Sequence, residues 1–264
     1  LPAINDCWHH ANLMADVGHG IPSGPAFYEV AAGWFPAPEF DGVLTAAYRH
    51  RPRDSVEALL YGPDRVARAS PPPLVETNEV ASGFAVLRPD LPADRSGYLL
   101  LKYGPHGGGH GHADKLGLSG YGGGERWSGD LGTPGYGIEI NDTWYRHTLS
   151  HSSIVLEGEP QPPASGELLR YRPVRDTPFG IVDAQVLWEQ GPYAAVYGRR
   201  LLLVRNGYIL VLTHIEAPVE RDIQIVFHHV GTVSRSPETT RVPPELPSNP
   251  TELSAKTTAA NCRL

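Results

Sequence analysis

Leu201-Leu202-Leu203-Val204-Arg205-Asn206-Gly207-Tyr208-Ile209-Leu210-Val211-Leu212 is the stretch whose reading decides the fold. Asn and Gly both accept the positive φ that a type I′ turn requires at its two central positions, and the twist of that turn matches the twist of paired strands. Two apolar runs flank the pair, so the sequence predicts a hairpin in which residues 201–204 face 209–212. Working outward, further strand-like runs recur at short intervals, at 83–87, 98–103, 115–121, 153–156, 179–188, 194–204, 208–214 and 223–229. This spacing predicts a mainly β chain built as an antiparallel β-sandwich. The 29 Gly and 26 Pro favour short strands and turns over long helices in the same way.

The beginning and end of the chain read differently. Asp54 or Ser55 can cap a short helix carrying Val56, Ala58, Leu59 and Leu60, and 26–35 forms another helix or turn. Pro71, Pro72 and Pro73 break regular structure, as a linker does. The expected division is therefore a helical and loop segment at 1–72, the β-sandwich at 73–233, and a Pro-rich tail at 234–264 without apolar periodicity. Cys7 and Cys262 lie at opposite ends and decide nothing about compartment. The chain opens on Leu1 and closes on Asn261-Cys262-Arg263-Leu264, as a piece of a longer protein is expected to do.

With 264 residues the chain is long enough to bury a core. Its net charge of −7 and lack of any basic run argue against a nucleic-acid partner, which needs clustered Lys and Arg for phosphate. The longest apolar stretch, 208–215, is strand-sized, far short of the roughly 20 residues of a membrane-spanning helix. Neither nucleic acid nor membrane is expected as a partner.

The chemistry concentrates in one region. Five of the 12 histidines (His106, His110, His112, His147, His151) and about half of the glycines fall between Gly104 and His151. Imidazole is the commonest metal ligand and the side chain best tuned for proton transfer near neutral pH, so metal binding, catalysis or both can be the cause. Were Gly109-His110-Gly111-His112 extended, His110 and His112 would point to one side. Asp130 and His151 stand beside predicted strands and complete a nitrogen and oxygen donor set, with a fourth position left for water. Such donors suit zinc better than magnesium or calcium. A solvated or hydrogen-bonded His pair is the bland alternative. A cupin-type oxygenase site is a further one, but it needs a Glu shortly after His112, where Leu116 and Gly117 stand.

Taken together, Tyr103-Gly-Pro-His106-Gly-Gly-Gly-His110-Gly-His112-Ala-Asp114-Lys115-Leu116, then Asp130-Leu-Gly-Thr-Pro-Gly-Tyr136-Gly137, Trp144-Tyr145-Arg146 and His151-Ser-Ser-Ile-Val-Leu resemble the heparinase II/III-like polysaccharide lyases. The likeness covers roughly 80–230, with a fainter match at Leu1-Pro2 and Asp6-Cys7-Trp8. It implies an antiparallel β region preceded by a short remnant of an α/α toroid. It implies zinc ligands at His112, Asp130 and His151, and active-site His and Tyr at His110 and Tyr136, with Arg146 a further candidate for charge stabilisation. An acidic, uronic-acid polysaccharide is the implied substrate, β-elimination the implied reaction, and a periplasmic or secreted location the implied compartment. The family's toroid also supplies an Asn, a His and a Tyr, and no position here matches them. A zinc-braced carbohydrate-binding module without catalysis is thus the competing expectation.

Overall fold

A computed structural model describes residues 4–5, 25–49, 52–70, 76–79, 82–88, 97–122, 125–176, 179–205 and 208–229. The Asn206-Gly207 turn, the triple proline, both cysteines, the 234–264 tail and the Leu1-Pro2 and Asp6-Cys7-Trp8 matches lie outside the described residues. The chain divides into two compact units, Leu1 with Cys7–Leu74, and Pro2–Asp6 with Val75–Leu264.

In the first unit three helices form, α1 (Pro25–Trp34), α2 (Pro38–Ala47) and α3 (Val56–Leu60). Ser55 caps α3 by accepting the Ala58 amide at 3.1 Å, one of the two caps expected from sequence. Helix α2 is not among the elements expected from sequence, although Pro38 at its first position and Glu39 and Asp41 in its first turn are ordinary starting signals. Glu29 of α1 is fully buried, and its carboxylate accepts from Arg53 Nε at 2.7 Å, Arg53 Nη2 at 2.8 Å and Tyr48 Oη at 2.6 Å. A buried carboxylate without these donors would be costly, so the three side chains fix how α1 packs on its neighbours.

The second unit is antiparallel β. Five strands, β1 (Thr77–Glu79), β2 (Phe84–Leu87), β3 (Tyr98–Lys102), β4 (Gly117–Gly122) and β5 (Glu125–Ser128), pair in chain order. A second sheet runs β10 (Tyr208–Glu216), β9 (Val196–Arg205), β8 (Gly180–Trp188), β7 (Glu167–Arg172). A two-stranded pair joins β6 (Ile154–Leu156) to β11 (Ile223–Ile225). Leu201 faces Leu212 and Val204 faces Ile209, the expected hairpin register. Strand β9 alternates buried and half-exposed residues, which turns Val196, Gly198, Arg200, Leu202 and Val204 inward. One core joins the sheets, with Leu87, Leu99, Leu101, Leu118, Leu156, Val182, Trp188 and Leu202 among its buried members. Among the described residues no helix is long and apolar enough to cross a membrane.

Candidate functional site

Between β3 and β6 the chain spends most of its length in loops, and each loop is locked by its own hydrogen bonds. Gly107 and Gly108 take left-handed φ of 92° and 64°, which lets the chain reverse into a single 3-10 turn at Gly108–His110. A Cβ on Gly111 would lie 1.9 Å from the His106 carbonyl oxygen, so the close approach admits only glycine. Arg146 clamps the same loop from outside, its Nη2 donating to the carbonyls of Gly109 at 2.9 Å and Gly111 at 3.0 Å. Its Nη1 also lies 3.9 Å from Asp142 Oδ1.

This turn separates the two histidines that extended geometry would have put on one side. His110 is exposed, while His112 is fully buried. The expectation of a shared side fails because a helical turn, unlike a strand, does not alternate side chains with a period of two.

Asp130 follows β5 and accepts the Gly132 amide at 3.0 Å, with Gly132 at φ 63°. The loop continues with Thr133 Oγ1 donating to Asn141 Oδ1 at 2.9 Å and accepting the Gly135 amide at 3.1 Å. A single wide helical turn of π type at Asn141–Tyr145 then leads through Arg146 and a 3-10 turn to His151. His151 Nδ1 and Asp130 Oδ2 are 2.9 Å apart, and the rings of His112 and His151 lie 5.4 Å apart between centroids. One ligand atom from each of His112, Asp130 and His151 lies within 4.8 Å of the others, and all three residues are buried.

Burial alone would raise the Asp130 pKa, but the charge and hydrogen bond of His151, the Gly132 amide and His112 hold the carboxyl below its usual range. Burial would likewise lower His151, and Asp130 more than compensates, raising it. His151 Nε2 is buried with no hydrogen-bond partner among the described residues. An orphaned imidazole nitrogen beside a buried carboxylate and a second buried imidazole is a donor set that fits a borderline divalent metal.

A narrow cavity adjoins this cluster, lined in part by Lys102, Asp114, Ser119, Asp130, His151 and Ser152. Lys102 pairs within it with both Asp114 oxygens, at 2.5 and 2.7 Å, and also bonds Asn5. This buried ion pair is not among the features expected from sequence. Asp114 stood in the quoted motif, but Lys102 reads only as the polar end of an apolar strand.

Outside the buried cluster, Tyr136 Oη lies 3.1 Å from His110 Nδ1, both groups exposed, with the rings edge to face at 5.9 Å. The structure therefore brings the six candidate residues together as a buried trio (His112, Asp130, His151), an exposed pair (His110, Tyr136), and Arg146 braced on the carbonyls either side of His110. Trp144 packs edge-on against His228, whose Nε2 lies 2.7 Å from the Leu149 carbonyl oxygen, a packing role for both.

The family model for "Heparinase II/III-like, C-terminal" matches residues 77–259. The chain belongs to the heparinase II/III-like family. Solved structures with the heparinase II/III-like fold agree. One heparinase III superposes with a TM-score of 0.63 at 16% identity, covering 90% of this chain and 33% of that one. A second heparinase III gives 0.61 at 17% identity, covering 91% and 34%. Heparan sulfate lyase HepC from Pedobacter heparinus gives 0.58 at 17% identity, covering 85% and 31%. At these identities the likeness is one of fold, and the chain spans about a third of the length of the structures it matches. No curated protein sequence matches it.

Proposed function

We propose that this chain is the β-sheet part of a polysaccharide lyase that cleaves uronic-acid-containing chains, of the heparan sulfate or alginate kind, by β-elimination. The observation that carries this is the Tyr136–His110 hydrogen bond at the exposed rim of a loop cluster whose buried side holds His112, Asp130 and His151. Family membership and the activities for which the heparinases it resembles are named support the same conclusion.

The reaction removes the C5 proton next to the substrate carboxylate. Its electron pair becomes the C4–C5 double bond, the C4–O4 bond breaks, and O4 leaves as a hydroxyl after taking up a proton. The C5 proton is only weakly acidic beside an ionised carboxylate, so positive charge or hydrogen-bond donors must first neutralise that group. Arg146, held against the loop that carries His110, supplies a cation close to the pair. Tyr136 serves as the proton carrier. With His110 Nδ1 accepting the phenolic proton, the phenolate takes the C5 proton, and the proton held on His110 passes to O4 through the phenol. No water enters the balance.

Zinc held by His112, Asp130 and His151 supplies a fixed tie between the three loops. Every proton step falls to side chains of the rim. A polymeric acidic substrate of this kind is met outside the cytoplasm, in a periplasm or in the medium.

The test is ultraviolet absorbance of the conjugated unsaturated uronate, followed for zinc-loaded chain and for the longer protein it belongs to, over a panel of uronic-acid polysaccharides. Absorbance that Tyr136→Phe lowers by roughly 100-fold or more, with metal content unchanged, supports the assignment. Full turnover in Tyr136→Phe removes Tyr136 from the mechanism. Absorbance from the longer protein but not from this chain assigns the remaining catalytic groups elsewhere. Absorbance from neither, with substrate bound, leaves a carbohydrate-binding module.

A further inference from the structure

Arg200 lies in β9 on the inward face, with its side chain 1% exposed among the apolar residues of the core. Desolvation lowers its pKa only to about 10, so it enters the core as a cation. Where a buried cation serves stability alone, a well-packed apolar side chain does as well or better. The groups it holds suggest a more particular use. Its Nη1 donates to the carbonyls of Leu116 at 2.6 Å and Ser152 at 3.0 Å, and its Nε donates to Thr213 Oγ1 at 3.2 Å. Leu116 follows His112 in the same loop and sits at a left-handed φ of 59°, a conformation that a branched side chain holds only under restraint. Ser152 is the residue after His151.

A second buried side chain spans the same two segments. Gln161 Oε1 accepts the Lys115 amide at 2.7 Å, and its Nε2 donates to the carbonyl of Lys115 at 3.2 Å, to Ser153 Oγ at 3.1 Å and to the carbonyl of Ile154 at 2.9 Å. Its own amide donates to Thr148 Oγ1 at 2.7 Å. Arg200 and Gln161 thus each hold one hand on residues 115–116 and the other on 148–154, the backbone just beyond His112 and on both sides of His151.

We propose that Arg200 and Gln161 are positioning residues of the metal centre, a two-point clamp that sets the separation of His112 from His151 and hence the strength of metal binding. This rests on assigning His112, Asp130 and His151 as metal ligands. Groups that orient ligands without touching the metal typically weaken its binding by about 10–100-fold when lost, and a clamp on the ligands' backbone acts to the same end. Arginine suits the task because the two N–H groups of its Nη1 are fixed in the guanidinium plane, one for each carbonyl, while Nε anchors the plane on Thr213, whereas a lysine ammonium is a single compact charge on a flexible stem.

The experiment measures zinc affinity of the whole chain by competition with a chromophoric chelator, and the visible bands of bound Co2+, which report ligand geometry. The variants are Arg200→Met, Arg200→Lys and Gln161→Met. Leu87→Ala, a cavity in β2 away from the clamp, serves as the control for stability loss alone. Thermal melts of the metal-free proteins rank how far each is destabilised. Expected is a zinc Kd weakened about 10–100-fold in Arg200→Met and Gln161→Met, with altered Co2+ bands, part of the affinity regained in Arg200→Lys, and an unchanged Kd in Leu87→Ala. If Arg200→Met fails to fold, Arg200→Lys and Gln161→Met carry the same comparison. Wild-type affinity in the clamp variants overturns the proposal, as does equal weakening in Leu87→Ala. A wild-type chain that binds neither zinc nor Co2+ overturns the ligand assignment and the clamp with it.

Discussion

Lys115 offers the most direct check on how burial is balanced beneath the Gly-rich loop. The residue is 1% exposed, and among the described residues its Nζ has one long hydrogen bond, 3.3 Å to the Pro105 carbonyl. Desolvation pushes the ammonium from 10.5 down to about 8, with Asp114 opposing and Lys102 adding to the fall. Below pH 8 both folded and unfolded chains carry the proton, and the folded state bears the full cost of a buried charge. Between pH 8 and 10.5 the unfolded chain holds more protons than the folded one, so stability rises with pH through this window. A fall of this size corresponds to about 3 kcal/mol. Lys115→Met removes that cost together with one weak hydrogen bond worth about 1 kcal/mol. The variant should be more stable than wild type by about 2 kcal/mol at pH 7, and the advantage should vanish at about pH 9.5 and leave the variant about 1 kcal/mol the less stable by about pH 10.5. Urea unfolding of both proteins in chelator, at half-unit steps from pH 7 to 10.5, gives the difference directly, since groups remote from Lys115 titrate alike in both proteins. A difference that stays constant across the range refutes the account of Lys115 as a strained cation.

Three further perturbations act on the site itself. Gly111→Ala drives a methyl into the His106 carbonyl at an ordinary φ, so the clash alone acts. It should lower stability by about 1–3 kcal/mol in a thermal melt and displace His110 from Tyr136. Arg146→Ala releases the Gly109 and Gly111 carbonyls, and the amides of the 107–111 loop should exchange with deuterium markedly faster than in wild type while those of β9 do not change. For wild type, zinc at about 100 times its Kd should add about 2.7 kcal/mol of stability in a melt, whereas Asp130→Asn, which removes the anionic donor, should show little of that gain.

How much of this was legible in the sequence depends on whether local chemistry or distant packing sets the feature. The β9–β10 hairpin was readable because register there follows from two turn residues and an apolar pattern on either side. Strand β7 was not, because its register shifts between Leu168 and Arg170, and a bulge breaks the alternation by which strands are recognised. β1, three residues long, and β5, which follows Gly122-Gly123-Gly124, are too short or too Gly-flanked to show a period. Composition pointed to the site region, and the order of motifs pointed to its residues. The 3-10 turn that sends His110 outward and His112 inward is set by two left-handed glycines, and spacing along a chain does not reveal the sign of φ. Arg200 and Gln161 carry no local signal at all. One is half of an arginine pair in a strand and the other sits between two prolines, and only the folded chain brings them to His112 and His151.

Burial sorts the candidate residues by the work each can do. His112, Asp130 and His151 are closed off from solvent, whereas His110 and Tyr136 stand open at the rim of the same loops. A polysaccharide is too large to enter the buried cluster, so an ion there would act on the substrate only through the protein that it braces. His110 lies two residues from His112, and Tyr136 lies six from Asp130. Each rim residue is therefore tethered by a short segment to a residue of the buried cluster, and any gain in order that an ion gave the cluster would pass along it. Loss of the metal should then loosen the Tyr136–His110 pair before it alters the chemistry either residue can perform. On this arrangement chelation and Tyr136→Phe act on turnover by different routes. Restoring zinc recovers the first, and no metal recovers the second.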